Sequence, residues 1–260
     1  MSRKQKKVDE PAVSHEPPTN PPPASNPDVT TGLENIQLFG NSDEDYFIST
    51  DSSFFQESFM TTDLFTAEDN NRFIKKVEAL VRSSPEYRAY ISYLRNDLKM
   101  NRCSFMPNLL IDEGEISLEM HHCPLTLFDI VDVIINHRLA NNQAITTLTI
   151  ADEVMRMHFE NNVGVIPVSV SIHKLIHAGS ILVHPAMIHG NWMNLLRIYP
   201  NGVSEALMTK LLAFVSITEE QLGESVNKID ASKATPLLRQ DAVIPTYEQL
   251  ELSLMVPASQ

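Results

Sequence analysis

The chain has 260 residues, a net charge of −13 and two cysteines, and 43% of its residues are hydrophobic. That length suits one sizeable core, or a core with appendages. Two cysteines exclude a disulfide framework and a four-cysteine zinc site, which makes an intracellular, reducing setting the default. No run approaches a membrane span, the N-terminus carries no secretory pattern, and the overall acidity argues against a simple polyanion binder.

The acidity is unevenly placed. Residues 1–7 carry four basic side chains, whereas Val8 to Asn71 carry thirteen acidic residues and no Lys or Arg. The remainder has sixteen basic and twenty acidic residues. Seven of the sixteen prolines fall between Pro11 and Pro27, and isolated aromatics follow among acids at Tyr46, Phe47, Phe54, Phe55 and Phe59. Such a composition cannot bury enough apolar surface to offset its chain entropy. Residues 1–62 therefore read as a disordered acidic tail, and the aromatics set among acids suit docking to a protein partner.

Order is expected to begin near Thr66. Thr66 and Asp69 resemble a capping box, and Phe73, Ile74, Val77, Leu80 and Val81 repeat at helical spacing. A second helix is expected from Pro85, with Tyr87, Tyr90, Ile91, Leu94 and Leu98 on one side. The period then changes. Phe105 to Asp112 is short and apolar, Glu113-Gly114 suits a turn, and Glu115 to His121 alternates. This pattern predicts a β-hairpin whose second strand ends at the pair His121-His122.

Two capped helices are expected next. Thr126 and Asp129 precede one, and Thr149 and Asp152 precede the other. Val163 to Val168 reads as a short strand after Asn161-Asn162, and Ser169 to His177 as a helix ended by Gly179. Residues 180–229 read as mostly helical and 230–260 as loosely structured. In this chain order, 63–229 is the folded domain.

The histidines carry the chemistry. His173 and His177 are four apart, which on a helix puts both imidazoles on one face, able to share a metal ion. His158 reads as a packed or solvated helix residue, and Cys123 as a lone buried thiol. His184 and His189 are within reach of the 173–177 helix. Lys174, Arg197 and Lys210 are candidate phosphate contacts, and no dense basic stripe accompanies them.

The combination E-M-H-H-C-P, then V-G-V-I-P-V, then S-I-H-K-L-I-H-A-G resembles the HNH endonucleases, the His-Me finger or ββα-metal superfamily. The resemblance covers 115–124 and 161–179, and its style is similar to phage-encoded members. It implies an α+β, mostly helical fold. A ββα-metal finger at 105–124 and 161–179 would hold an inserted helical pair, 125–160, between its strands, with flanking helices and a long disordered N-terminal tail.

The same resemblance implies roles. His121, His173 and His177 are the metal ligands, for one divalent ion, Zn²⁺ or Mg²⁺, and three imidazoles favour the softer of the two. His122 is the general base. Asn161 or Asn162 holds the loop of the base. Glu119 stands where some members carry an acid, without an assigned role.

The chain departs from the pattern in two ways. About fifty residues separate His122 from His173, and Gly164 stands where the Asn is expected. The implied activity is hydrolysis of DNA phosphodiesters, in the host cytoplasm for a phage-encoded chain. Two rivals fit less of the sequence: a degenerate metal-braced finger serving as an interaction module, either a virion component or a regulator, and a helix-turn-helix regulator spanning 149–178.

Overall fold

A computed structural model of the chain describes residues 66–108, 117–229 and 234–255. The acidic segment 1–62, the expected turn at 113–114 and residues 109–112 of the strand expected before it lie outside the described residues. The fold is mostly helical, with a small two-stranded antiparallel sheet.

Helix α1, Ala67–Ser83, starts where Thr66 accepts the Asp69 amide, and it buries Phe73, Ile74, Val77 and Val81. Ser84 ends α1 and caps α2, Pro85–Asn96, by accepting the Tyr87 amide. Pro85 suits the first turn of α2, where no amide donor is needed. Strand β1, Leu118–His122, follows, and then α3, Leu127–Ala140, behind a complete Thr126–Asp129 capping box. Helix α3 is apolar on most sides, as a central helix must be.

Helix α4 is Thr147–Phe159. Its cap is Thr146, boxed with Thr149, one turn before the expected Thr149–Asp152 box. The reason is burial: Thr147 and Ile150 extend the inward stripe of Ala151, Val154 and His158 backwards, so the first turn is already packed. Strand β2, Val165–Ser169, is buried throughout, and α5, Val170–His177, follows without a loop because Ser169 caps it. Gly179 ends α5 with φ +67°, and the Gly179 and Ser180 amides close onto Ile176 and Leu175. That is the bonding pattern of a Schellman cap. Helices α6 (Trp192–Ile198), α7 (Glu205–Val215), α8 (Glu219–Asn227) and α9 (Tyr247–Met255) follow among the described residues.

Two expectations need correction. The partner of β1 is β2, paired Leu118↔Ser169 through His122↔Val165, and Phe105–Asn108 forms no strand. The strongly apolar β2 needs hydrogen-bond partners wherever the chain can provide them. It bonds β1 on one edge and the His189 backbone on the other, while Ser104 donates to the Pro167 carbonyl. The C-terminal stretch is also more ordered than expected. Leu237 donates to Ser104, Arg239 donates to Ala186, and α9 buries Leu250 completely.

Helices α1, α2 and α4 pack together, α1 and α4 also meet α3, and α5 lies against both strands. The end of β1 is thus covered by α5 on one side and by α2 and α4 on the other, which decides where its two histidines go.

Candidate functional site

Successive side chains of a strand point to opposite faces. On β1 this puts Glu119 and His121 on one face, and Met120 and His122 on the other. The two faces carry different chemistry.

On the first face, His121 meets the two histidines of α5. Ring centroids are 4.7 Å from His121 to His173, 5.1 Å from His121 to His177, and 4.6 Å between His173 and His177. One nitrogen from each ring lies within 4.8 Å of the others. The helical spacing of four gives the α5 pair, and the antiparallel register brings the end of β1 beside them. Burial increases from exposed His177 to buried His121.

Glu119 fixes His173. Its carboxylate Oε2 forms a short hydrogen bond with His173 Nδ1. A carboxylate only accepts, so Nδ1 carries a proton, and a neutral His173 then has its lone pair on Nε2. His177 Nε2 lies 2.9 Å from that atom. Two imidazole nitrogens held by one zinc ion are about 3.3 Å apart, from bond lengths of 2.0–2.1 Å, so a shift of a few tenths of an ångström suffices. Burial, followed by the nearby His173, His177 and Lys210 charges, pushes the His121 imidazole down to about 3. Burial also lowers His177, with His173 adding to the effect. Neutral imidazoles are the form that ligates, and three ring nitrogens this close could share one divalent ion, with Glu119 as the outer partner of His173.

On the second face, His122 is sealed against the helices. Its Nε2 lies 2.9 Å from Nε2 of His158, whose Nδ1 lies 2.7 Å from the Val154 carbonyl. Tyr87 stacks on His122 at 6.4 Å, and Tyr90 packs edge-on against His158 at 5.0 Å. Burial, then the charges of its neighbours, drives His122 well below the usual histidine range, while burial brings His158 to about 4. Both are neutral near pH 7.

The structure therefore brings His121, His173 and His177 together and turns the His122 ring to the other side of the strand. The two asparagines lie elsewhere. Asn161 takes φ +59°, and its carbonyl accepts the Asn191 amide at 2.8 Å. Buried Asn162 accepts from Asn194 and donates to Glu160. Both tie down the turn before β2, and neither bonds His122 among the described residues.

Sequence reasoning named two of these residues, Glu119 and His158, without giving either a role. Glu119 was legible from its place two before His121. His158 was legible as a histidine on the inward stripe of α4, where a buried polar ring must find a partner. Elsewhere, His184 caps a short 3₁₀ turn, buried His189 bridges to β2, and Lys210 pairs with Asp129 at 2.6 Å.

No helix of the described residues is long and apolar enough to cross a membrane. Neither a curated protein nor a solved structure matches the chain. The model of one family does match, over residues 25–242, which is most of the chain. This protein belongs to the bacteriophage G278-like virion protein family.

Proposed function

We propose that this virion protein is a metal-dependent DNA hydrolase with a centre of the ββα-metal type. The observation that carries the reading is the convergence of His121, His173 and His177 from a strand end and the following helix, with His122 next in sequence.

His121, His173 and His177 would hold one divalent ion, which when bound would supply Lewis-acid stabilisation to the phosphate and the leaving oxygen. Glu119 keeps the His173 proton on Nδ1 and its Nε2 lone pair available. His122 is the general base of this reading, a role typically contributing about 10²–10⁴-fold, and it requires the ring to leave His158 and Tyr87 and turn to the face of β1 that carries His121. Water loses a proton to the imidazole, its oxygen bonds to phosphorus, and the phosphorus–oxygen bond to the leaving group breaks. The leaving oxygen keeps the electron pair and takes a proton from solvent.

The charge distribution supports a polyanionic substrate. Between residues 72 and 102 stand eight basic residues and three acidic ones, Glu78, Glu86 and Asp97. On α1 the four cations Arg72, Lys75, Lys76 and Arg82 share the helix side opposite Phe73, Ile74, Val77 and Val81. The Arg82 charge reaches both histidine groups, since it contributes to lowering His122, His158 and His177.

A second reading is favoured by the net charge of −13 and by membership of a virion protein family. In it, the ion braces the finger as an interaction module and no bond is cut. Nicking of supercoiled plasmid by the purified chain with Mg²⁺, Mn²⁺ or Zn²⁺ separates the two. The hydrolase reading expects metal-dependent nicking that His122→Ala and His173→Ala both abolish. Folded protein that binds the ion and nicks nothing with any of the three overturns it in favour of the module.

A further inference from the structure

Charge changes sign along this chain at the start of its first two helices. Residues 72–102 carry eight basic and three acidic side chains, whereas 103–260 carry eight basic and seventeen acidic ones. The cationic excess after residue 71 is therefore confined to α1, α2 and the few residues beyond them. The stretch directly before α1 has the opposite character: residues 41–65 hold six acids and no Lys or Arg. That stretch lies outside the described residues, and it joins α1 at its cap, Thr66.

Arg72, Lys75, Arg82 and Arg88 are exposed. Arg72 has Glu68 and Asp69 at 3.5 Å, and Arg82 has Glu78 at 3.8 Å, all on α1 itself. Ion pairs this long and this open to water are worth little, so they yield to a better-placed anion.

The cationic surface continues into an aromatic one. Arg82 lies close enough to Tyr87 to oppose the rise that burial gives that phenol. Tyr87, Tyr90 and Tyr93 follow at intervals of three on α2, so each neighbours the next. Tyr90 packs edge-on against Phe159 at 5.8 Å. Two exposed rings, Tyr93 at 46% and Phe159 at 55%, thus border buried Tyr90. A surface that joins cations to open aromatic rings suits a ligand that joins acids to aromatic rings. Residues 41–65 have that composition, with six aromatics, among them Phe54, Phe55 and Phe59, interleaved with the six acids.

The chain length permits the contact. Arg82 stands sixteen residues beyond Thr66, about 24 Å along a helix axis. About seven or eight extended residues cover that distance, and 41–65 supplies 25.

We infer that residues 41–65 dock in cis on the outer side of α1 and α2, with acids on Arg72, Lys75, Arg82 and Arg88 and aromatic rings beside Tyr93 and Phe159. Tethering makes a weak contact sufficient. At an effective concentration on the order of 1 mM, an intrinsic Kd of about 0.1 mM keeps the surface about nine-tenths covered. The docking stands apart from the hydrolase reading. One consequence rests on that reading: DNA that uses the same cations must displace the segment, which weakens its binding by about tenfold.

The test is paramagnetic NMR of the full chain. Cys103 and Cys123 are buried, so Ser53→Cys accepts a single nitroxide. At low salt the amide signals of Lys75, Arg82 and Tyr93 should broaden. The broadening should fade at 1 M salt, where the Debye length is about 3 Å. It should also fade when Asp43, Glu44, Asp45, Asp51, Glu57 and Asp63 are replaced by Asn or Gln. No broadening within 72–102 at low salt overturns the inference, and so does broadening that ignores both salt and the six replacements. A mixture of nitroxide-bearing chain with nitrogen-15 chain lacking the label separates the occupants. Broadening in that mixture makes a second copy the occupant and overturns docking in cis.

None of these measurements requires cleavage, so docking in a chain that nicks nothing keeps the inference and removes the hydrolase. Fluorescence anisotropy with a short duplex DNA, without metal, reads the consequence. The chain with the six replacements should bind about tenfold more tightly than wild type. Docking with DNA affinity unchanged keeps the contact and removes the shared surface, and with it the charge support for the hydrolase reading.

Discussion

His121 and His122 are neighbours on one strand, yet their rings enter opposite environments. The first joins His173 and exposed His177, where three nitrogens within 4.8 Å face one another. The second is enclosed by Tyr87, Tyr90 and His158 and meets one fixed partner. Strand alternation alone separates them. A pair of adjacent histidines thus places one ring in a cluster of three and the other against a single buried partner.

The largest effect should come from a change that breaks both faces at once. Just beyond β1, the Cys123 amide donates to the Gly164 carbonyl at 3.0 Å. A Cβ on Gly164 would lie 2.0 Å from the Cys123 carbonyl oxygen and 2.9 Å from Ile188 Cγ2. The first obstacle is backbone and cannot rotate away. Gly164→Ala should cost roughly 3 kcal/mol or more, as overpacking of a tight interior does. Urea unfolding reads the loss, and the histidine signals of both groups should shift together.

That dependence on a glycine shows how far the sequence could be read. The caps at Thr66, Ser84, Thr126 and Ser169 are local, and residue type with spacing was enough to place Thr66 and Thr126. The α5 pair is equally local. The pairing of β1 with β2 is not local, because 42 residues separate His122 from Val165 and two helices intervene, and only the family resemblance pointed to it. A hairpin with the nearer apolar run satisfied every local rule. What decided otherwise was the need of buried β2 for partners on its edges. The His122–His158 bond was hidden for the same reason: only α4 packed over the strand brings them together.

A smaller effect tests the buried face alone. His158 is held near a pKa of about 4, below its ordinary value of 6.5. The unfolded chain therefore takes the proton first as pH falls. The stability this ring contributes is complete above about pH 6.5 and is lost as pH drops through about 4, roughly 3 kcal/mol in all. His121 and His177 titrate in the same direction, so the buried share must be isolated. Unfolding free energy between pH 7.5 and 4.5 should fall less steeply in His158→Gln than in wild type. Equal slopes would mean that His158 is not held neutral by its surroundings.

The open face responds to a different change. Glu119→Gln retains the size of the side chain and removes the charge that keeps the proton on His173 Nδ1. Outer partners of ligating histidines are typically worth about 10–100-fold in metal affinity. Zn²⁺ titration by calorimetry should show a loss in that range, with unfolding of the metal-free chain little altered. A variant that binds as tightly as wild type would leave Glu119 a surface acid with a close neighbour.

The smallest expected effect marks the limit of the contrast. Lys210 reaches Asp129 at 2.6 Å from α7, and it belongs to the charges that lower His121 and does not figure among those that lower His122. Its side chain is 46% exposed, so water screens the pair and Lys210→Met should change stability by within about 1 kcal/mol. The informative quantity is selectivity. With one cation removed, the His121 imidazole should titrate at higher pH, while the His122 and His158 resonances stay in place. Proton titration by NMR would read both in one experiment. Movement of all three would mean that β1 transmits charge between its faces, and that the two histidine groups are one electrostatic unit instead of two.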